Sequence, residues 1–151
     1  MTDSPPIAES ASTVPDRYRI VLAEDDDGLR ETVAEILSVA FDVTLAVSGE
    51  EAIERMSDQD ADLALFDLQM GAVSGLDVVR IIRVEYELQT PCLLMTARPD
   101  DSVREEARRL GVADLLEKPF ARIRLVDSVA AAMRDAYGEL DAADWFAGRR
   151  N

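Results

Sequence analysis

Between residues 18 and 137 the chain alternates short apolar runs with longer stretches in which apolar residues recur every three or four positions. Runs this short, flanked by helical patterns, read as strands of a parallel sheet covered on both faces. They lie at about Arg19 to Ala23, Val43 to Val47, Leu63 to Phe66, Cys92 to Met95 and Val112 to Leu116. Each is followed by a helical pattern. Leu29, Val33, Ile36, Leu37 and Ala40 share one face over about 28–40. Ser48 and Glu51, at capping-box spacing, open a helix whose inner positions are Ala52, Ile53 and Met56. Leu76, Val79 and Ile82 do the same after Gly75, and Val103, Ala107 and Leu110 precede Gly111, a C′ glycine by position. The last helix runs from about Ile123 to Tyr137 and carries Leu125, Val126, Val129 and Met133 inward. Five such units predict a three-layer, doubly wound α/β sheet and are too few for an eight-stranded barrel.

The flanks break the pattern. Met1 to about Arg17 holds Pro5, Pro6 and Pro15 with no apolar period, so residues 1–17 are expected to be a disordered extension of a domain spanning 18–137. Residues 138–151 form a tail whose pattern allows a helix. Its Trp145 and Phe146 sit among charged residues and are expected to dock on the domain or meet a partner.

At 151 residues one domain with a sizeable core is expected. A net charge of −15 disfavours nucleic acid and acidic membrane surfaces as partners. No apolar stretch reaches the ~18 residues of a membrane span and no signal sequence opens the chain, so a cytoplasmic location is expected. Cys92, inside the fourth apolar run, reads as a small buried hydrophobe. Histidine is absent, which excludes a Ser-His-Asp triad, a Cys-His pair, histidine zinc sites and a phosphohistidine carried by this chain.

The candidate chemistry sits just past the apolar runs. Glu24 and Asp25 follow the first, Asp67 the third, Thr96 the fourth and Lys118 the fifth. Ligands of such sheets bind outside the carboxyl ends of the strands, so these side chains are predicted to converge. Singly, each has an ordinary reading: an Asp after a strand is usually a helix N-cap, and Asp26 and Asp27 are assigned as caps or solvated charges. Jointly they describe a site. Three carboxylates brought together imply a bound cation. Asp67 is the candidate nucleophile, able to form an acyl phosphate. Mg²⁺ held by Glu24, Asp25, one oxygen of Asp67 and the backbone carbonyl of Gln69 would offset the charge of an incoming phosphoryl group, and Mn²⁺ or Ca²⁺ are expected substitutes. Lys118, the Thr96 hydroxyl and the Ala97 N–H would hold the phosphoryl oxygens.

Those segments carry a family likeness. Ile-Val-Leu-Ala-Glu24-Asp25-Asp, Leu-Ala-Leu-Phe-Asp67-Leu-Gln-Met70, Leu-Leu-Met-Thr96-Ala97-Arg and Asp-Leu-Leu-Glu-Lys118-Pro119-Phe120 resemble the receiver domain of bacterial two-component response regulators, in its order and at its intervals. The resemblance implies a flavodoxin-like (βα)5 fold with strand order 2-1-3-4-5. It implies Asp67 as phosphoacceptor, Glu24 and Asp25 as metal-binding acids, Thr96 as a switch hydroxyl, Lys118 as charge partner and a cis Lys118–Pro119 bond. The implied activity is weak: phosphorylation of its own aspartate and slow hydrolysis, with Gln69 and Arg98 flanking the group. The implied partners are a sensor histidine kinase or histidine phosphotransfer protein, a downstream target, and a second copy through the face made by the fourth helix, fifth strand and fifth helix. Two positions depart from the family pattern: Gly71 stands where proline is usual, and Leu115 where an aromatic ring is usual. Those departures leave a contact module working without phosphorylation as the rival reading. An aspartyl phosphohydrolase is disfavoured, because Gln69 cannot serve as general acid.

Overall fold

The computed structural model describes residues 17–138. Five strands, β1 (Arg19–Ala23), β2 (Asp42–Ala46), β3 (Leu63–Asp67), β4 (Cys92–Thr96) and β5 (Asp114–Glu117), alternate with five helices. The helices are α1 (Asp27–Ser38), α2 (Gly49–Asp58), α3 (Gly75–Val84), α4 (Asp101–Arg109) and α5 (Arg122–Tyr137). The strands form one parallel sheet in the order β2-β1-β3-β4-β5. This is the predicted doubly wound fold.

Alternation along each strand builds two cores. Ile20, Leu22, Leu65, Leu93 and Met95 face α1 and α5, meeting Val33, Leu37, Leu125 and Met133. Val21, Ala64, Phe66, Cys92 and Leu94 face the other way and meet Met56, Val79, Ile82 and Ala107 of α2, α3 and α4. Strands β3 and β4 are buried throughout, as the central strands of a sheet covered on both faces must be. Cys92 is a free, buried thiol pushed up to about 11 by burial, in keeping with a packing role.

Element ends show where local chemistry overrules periodicity. Asp26 caps α1 as expected, accepting from the Leu29 N–H at 2.7 Å, whereas Asp27 is the first residue of the helix itself. Ser48 accepts from the Glu51 N–H, yet the Glu51 carboxylate reaches past it to the Val47 N–H, so the expected reciprocal box does not close. The reciprocal box is at α3, between Ser74 and Asp77. β5 begins at Asp114 rather than Val112 because α4 claims Val112. The Val112 N–H donates to the Ala107 carbonyl and the Gly111 N–H to that of Arg108, with Gly111 at φ +73°. These two bonds are the Schellman terminator.

Arg17, expected in the extension, belongs to the domain: its guanidinium donates to the carbonyls of Ser38, Val39 and Phe41 at the end of α1. The rest of the expected N-terminal extension, and the tail bearing Trp145 and Phe146, lie outside the described residues.

Candidate functional site

All five strands run the same way, so the residues that end them meet at one edge. Asp67 is the last residue of β3 and Thr96 the last of β4; Glu24 directly follows β1 and Lys118 directly follows β5. Glu24, Asp67 and Thr96 are buried (1%, 3% and 1% exposed), whereas Asp25 is open to solvent. Gln69 and Ala97 follow in exposed loop positions.

Glu24, Asp25 and Asp67 each bring a carboxylate oxygen within 4.8 Å of the others. The Lys118 ammonium lies 2.9 Å from Asp67 Oδ1, to which it donates, and 3.0 Å from Glu24 Oε1. The second contact is an ion pair without hydrogen-bond direction, so Glu24 Oε1 is a buried acceptor with no hydrogen-bond partner. Its other oxygen accepts from the Asp26 N–H at 3.1 Å. Burial, with help from the Asp67 charge, pushes the Glu24 carboxyl up to about 7, although the Asp26 N–H and Lys118 pull the other way. Burial alone would lower Lys118, but its contacts with Asp67 and Glu24 outweigh that and hold the ammonium above its ordinary value. Three acids thus face one cation. The excess negative charge, the all-oxygen donors and a buried Glu24 oxygen held only by its ion pair with Lys118 fit a hard divalent ion.

Thr96 Oγ1 accepts from the Arg98 N–H at 3.0 Å, which leaves its own hydrogen free to donate. The Thr96 carbonyl accepts from the Lys118 N–H at 2.8 Å and so ties the two strand ends together. The Lys118–Pro119 bond is cis, as the resemblance implies.

Three supporting features escaped the sequence reading. Arg30, on α1, donates to the Glu24 carbonyl at 2.8 Å and pairs with Asp27, bracing the turn that carries Glu24 and Asp25. Its position one turn into a helix gave no distinguishing signal. Gly75 lets α3 press against the site strand: a Cβ there would fall 2.5 Å from the Asp67 carbonyl oxygen. Gly49 does the same for α2 against the loop before α3, where a Cβ would meet the Val73 carbonyl at 2.4 Å. Gly71 sits at φ +89°, a conformation closed to proline, whose ring fixes φ near −65°. The Asp67–Ser74 loop is therefore built on a glycine turn.

An acidic, lysine-bearing pocket at the carboxyl ends of the strands lies where doubly wound parallel sheets bind their ligands. Residues 20–130 match the response regulator receiver domain, and the chain belongs to that family. It is 36% identical over 103 residues to the transcriptional regulatory protein CrdR of Helicobacter pylori, covering 68% of this chain and 48% of that one. It is 33% identical over 120 residues to CpxR of Escherichia coli K12, covering 79% of this chain and 50% of the relative. The chain thus spans about half the length of these curated relatives. Among solved structures, the chemotaxis protein CheY4 of Vibrio cholerae superposes with a TM-score of 0.72 at 22% identity, over 77% of this chain and 98% of that one, a likeness of fold. The protein is a two-component response regulator receiver. No helix among the described residues is long and apolar enough to cross a membrane.

Proposed function

We propose that Asp67 is the phosphoacceptor of a switch driven by a partner's phosphohistidine. One Asp67 oxygen bonds phosphorus as the phosphorus–nitrogen bond to the partner's imidazole breaks, leaving an acyl phosphate. The observation that carries this reading is the buried Asp67 carboxylate at the end of a central strand, 2.9 Å from the Lys118 ammonium and clustered with Glu24 and Asp25. Glu24, Asp25, Asp67 and the Gln69 carbonyl would hold Mg²⁺. Bound there, the ion would supply positive charge against the phosphoryl oxygens. Lys118 gives those oxygens a point charge, and the free Thr96 hydroxyl and the Ala97 N–H give them hydrogen bonds. Drawing Thr96 toward the group favours one of two packings of the face made by α4, β5 and α5.

The partners of this reading are a sensor histidine kinase or histidine phosphotransfer protein upstream and a target protein downstream, in the cytoplasm. A second copy joined through α4, β5 and α5 is the assembly it favours. The protein then works as a weak enzyme on itself, forming and slowly hydrolysing its own aspartyl phosphate.

A contact module independent of phosphorylation is the second reading, and the glycine-built loop at Gly71 and the half-buried Leu115 favour it. Incubation with a small phosphodonor and Mg²⁺ separates the two. Intact-mass spectrometry should show one added phosphoryl group on the wild type and none on Asp67→Asn. A wild type of unchanged mass would refute the phosphoacceptor reading.

A further inference from the structure

Just past the end of β1, one peptide group joins the two acids that precede α1. On its β1 side the chain is still held by the sheet, since the Glu24 N–H donates to the Ala46 carbonyl of β2 at 3.1 Å. The Glu24 carbonyl is taken by a side chain: the Arg30 guanidinium donates to it at 2.8 Å from α1. The other arm of the same fork donates to Asp27 Oδ1 at 2.6 Å. The Arg30 side chain is only 12% exposed, whereas that of Asp27 is 82% exposed. The arginine is therefore packed inward with the backbone contact rather than held out by a surface ion pair.

That carbonyl belongs to the peptide between Glu24 and Asp25, so its plane sets the directions in which both carboxylates leave the chain. One is buried and one faces solvent, yet their oxygens lie within 4.8 Å of each other and of Asp67. The remaining bonds of the turn act elsewhere. The Asp26 N–H holds Glu24 Oε2 at 3.1 Å, and the Asp26 carboxylate caps α1. Those bonds fix a side chain and a helix start, and the peptide plane is left to Arg30.

Two effects of Arg30 on a bound cation oppose each other. Its charge repels the ion, while its fork stops the peptide from turning and so preorganises two ligands. Charge compensation in the pocket already comes from Lys118, in direct contact with Glu24 and Asp67. Supports behind metal ligands typically govern affinity by about 10–100-fold. We propose that Arg30 is a positioning residue of the metal site, raising its affinity for Mg²⁺ although it carries the same sign of charge as the ion. This rests on the Mg²⁺ reading given above. Lysine cannot take its place, because a point ammonium on a flexible stem does not span the Glu24 carbonyl and the Asp27 carboxylate as a planar fork does.

The test is Mg²⁺ affinity of the full chain by isothermal titration calorimetry, without phosphodonor. Arg30→Met should weaken binding about tenfold, the lower end for such supports. Arg30→Lys keeps the charge and should still bind nearly as weakly as Arg30→Met; being the milder change, it also carries the test should Arg30→Met fail to fold. Tighter binding in Arg30→Met would make Arg30 a repulsive charge only and overturn the proposal. Full recovery in Arg30→Lys would overturn it too, as would an unchanged Kd beside a lowered urea midpoint, the mark of a residue that merely stabilises the helix start. A wild type that binds no Mg²⁺ would instead overturn the metal reading itself, and this inference with it.

Discussion

At the scale of single residues, Lys118 balances an acidic pocket that would otherwise resist folding. It sits 2.9 Å from Asp67 and 3.0 Å from Glu24, both buried, so its removal leaves two carboxylates facing each other with no cation. Glu24 can relieve part of that cost by holding a proton, since burial already pushes it up to about 7. Lys118→Met should therefore destabilise the apo protein by about 2 kcal/mol, the usual cost of stranding a buried polar group. A divalent ion replaces the missing charge, so Mg²⁺ should recover more stability in Lys118→Met than in the wild type. Urea midpoints with and without Mg²⁺ check both statements. Equal recovery would mean that the ammonium and the ion do not share the same pair of acids. This pocket was readable in sequence because each member has the residue type that its task demands. Arg30 was not, because a backbone-bracing arginine looks like any other charge on a helix.

At the scale of elements, the loop from Asp67 to Ser74 decides how firmly the proposed phosphoacceptor is held. Two glycines control it by different physics. Gly71 adopts φ +89° with nothing within 4 Å of a Cβ, so Gly71→Ala should cost only the backbone conformational penalty, about 1 kcal/mol. Gly75 has an ordinary φ, but a Cβ would lie 2.5 Å from the Asp67 carbonyl oxygen and 3.1 Å from Leu94 Cδ2. Gly75→Ala must push α3 away from β3, and overpacking of that kind costs about 1–3 kcal/mol. It should also slow phosphorylation of Asp67, whereas Gly71→Ala should leave the rate closer to wild type. Thermal melts and phosphodonor kinetics on the two variants test the contrast, and reversed ranking would show that the turn rather than the helix approach positions Asp67. The helices themselves were legible because their apolar faces repeat over several turns. Their ends were less so: competing caps at Glu51, Asp77 and Val112 are settled by which N–H lies nearest, a fact of three dimensions.

At the scale of the whole molecule, the strand order followed from pattern plus resemblance, because five alternating units and right-handed crossovers leave few topologies. What stayed hidden is the groove of about 220 Å³ that Leu115 helps to line between α4 and β5, since cavities arise from side chains that fail to fill space and Leu115 alone gives no sign of that. The same global view joins metal binding to folding. In the unfolded chain Asp67 is far from Glu24 and Asp25, and only the parallel sheet gathers the oxygens of all three within 4.8 Å. A ligand that binds only the folded state stabilises it by RT ln(1 + [L]/Kd), about 2.7 kcal/mol at one hundred times Kd. Mg²⁺ at that excess should raise the unfolding free energy by this amount, as read from urea titrations. Asp25→Asn is the informative variant, because Asp25 is exposed and its substitution leaves the buried pair intact. It should fold with near-native stability in the absence of metal and lose most of the Mg²⁺-dependent increment. Should the increment survive in Asp25→Asn yet vanish in Asp67→Asn, the ion would be held without the exposed acid, and Asp25 would leave the metal site.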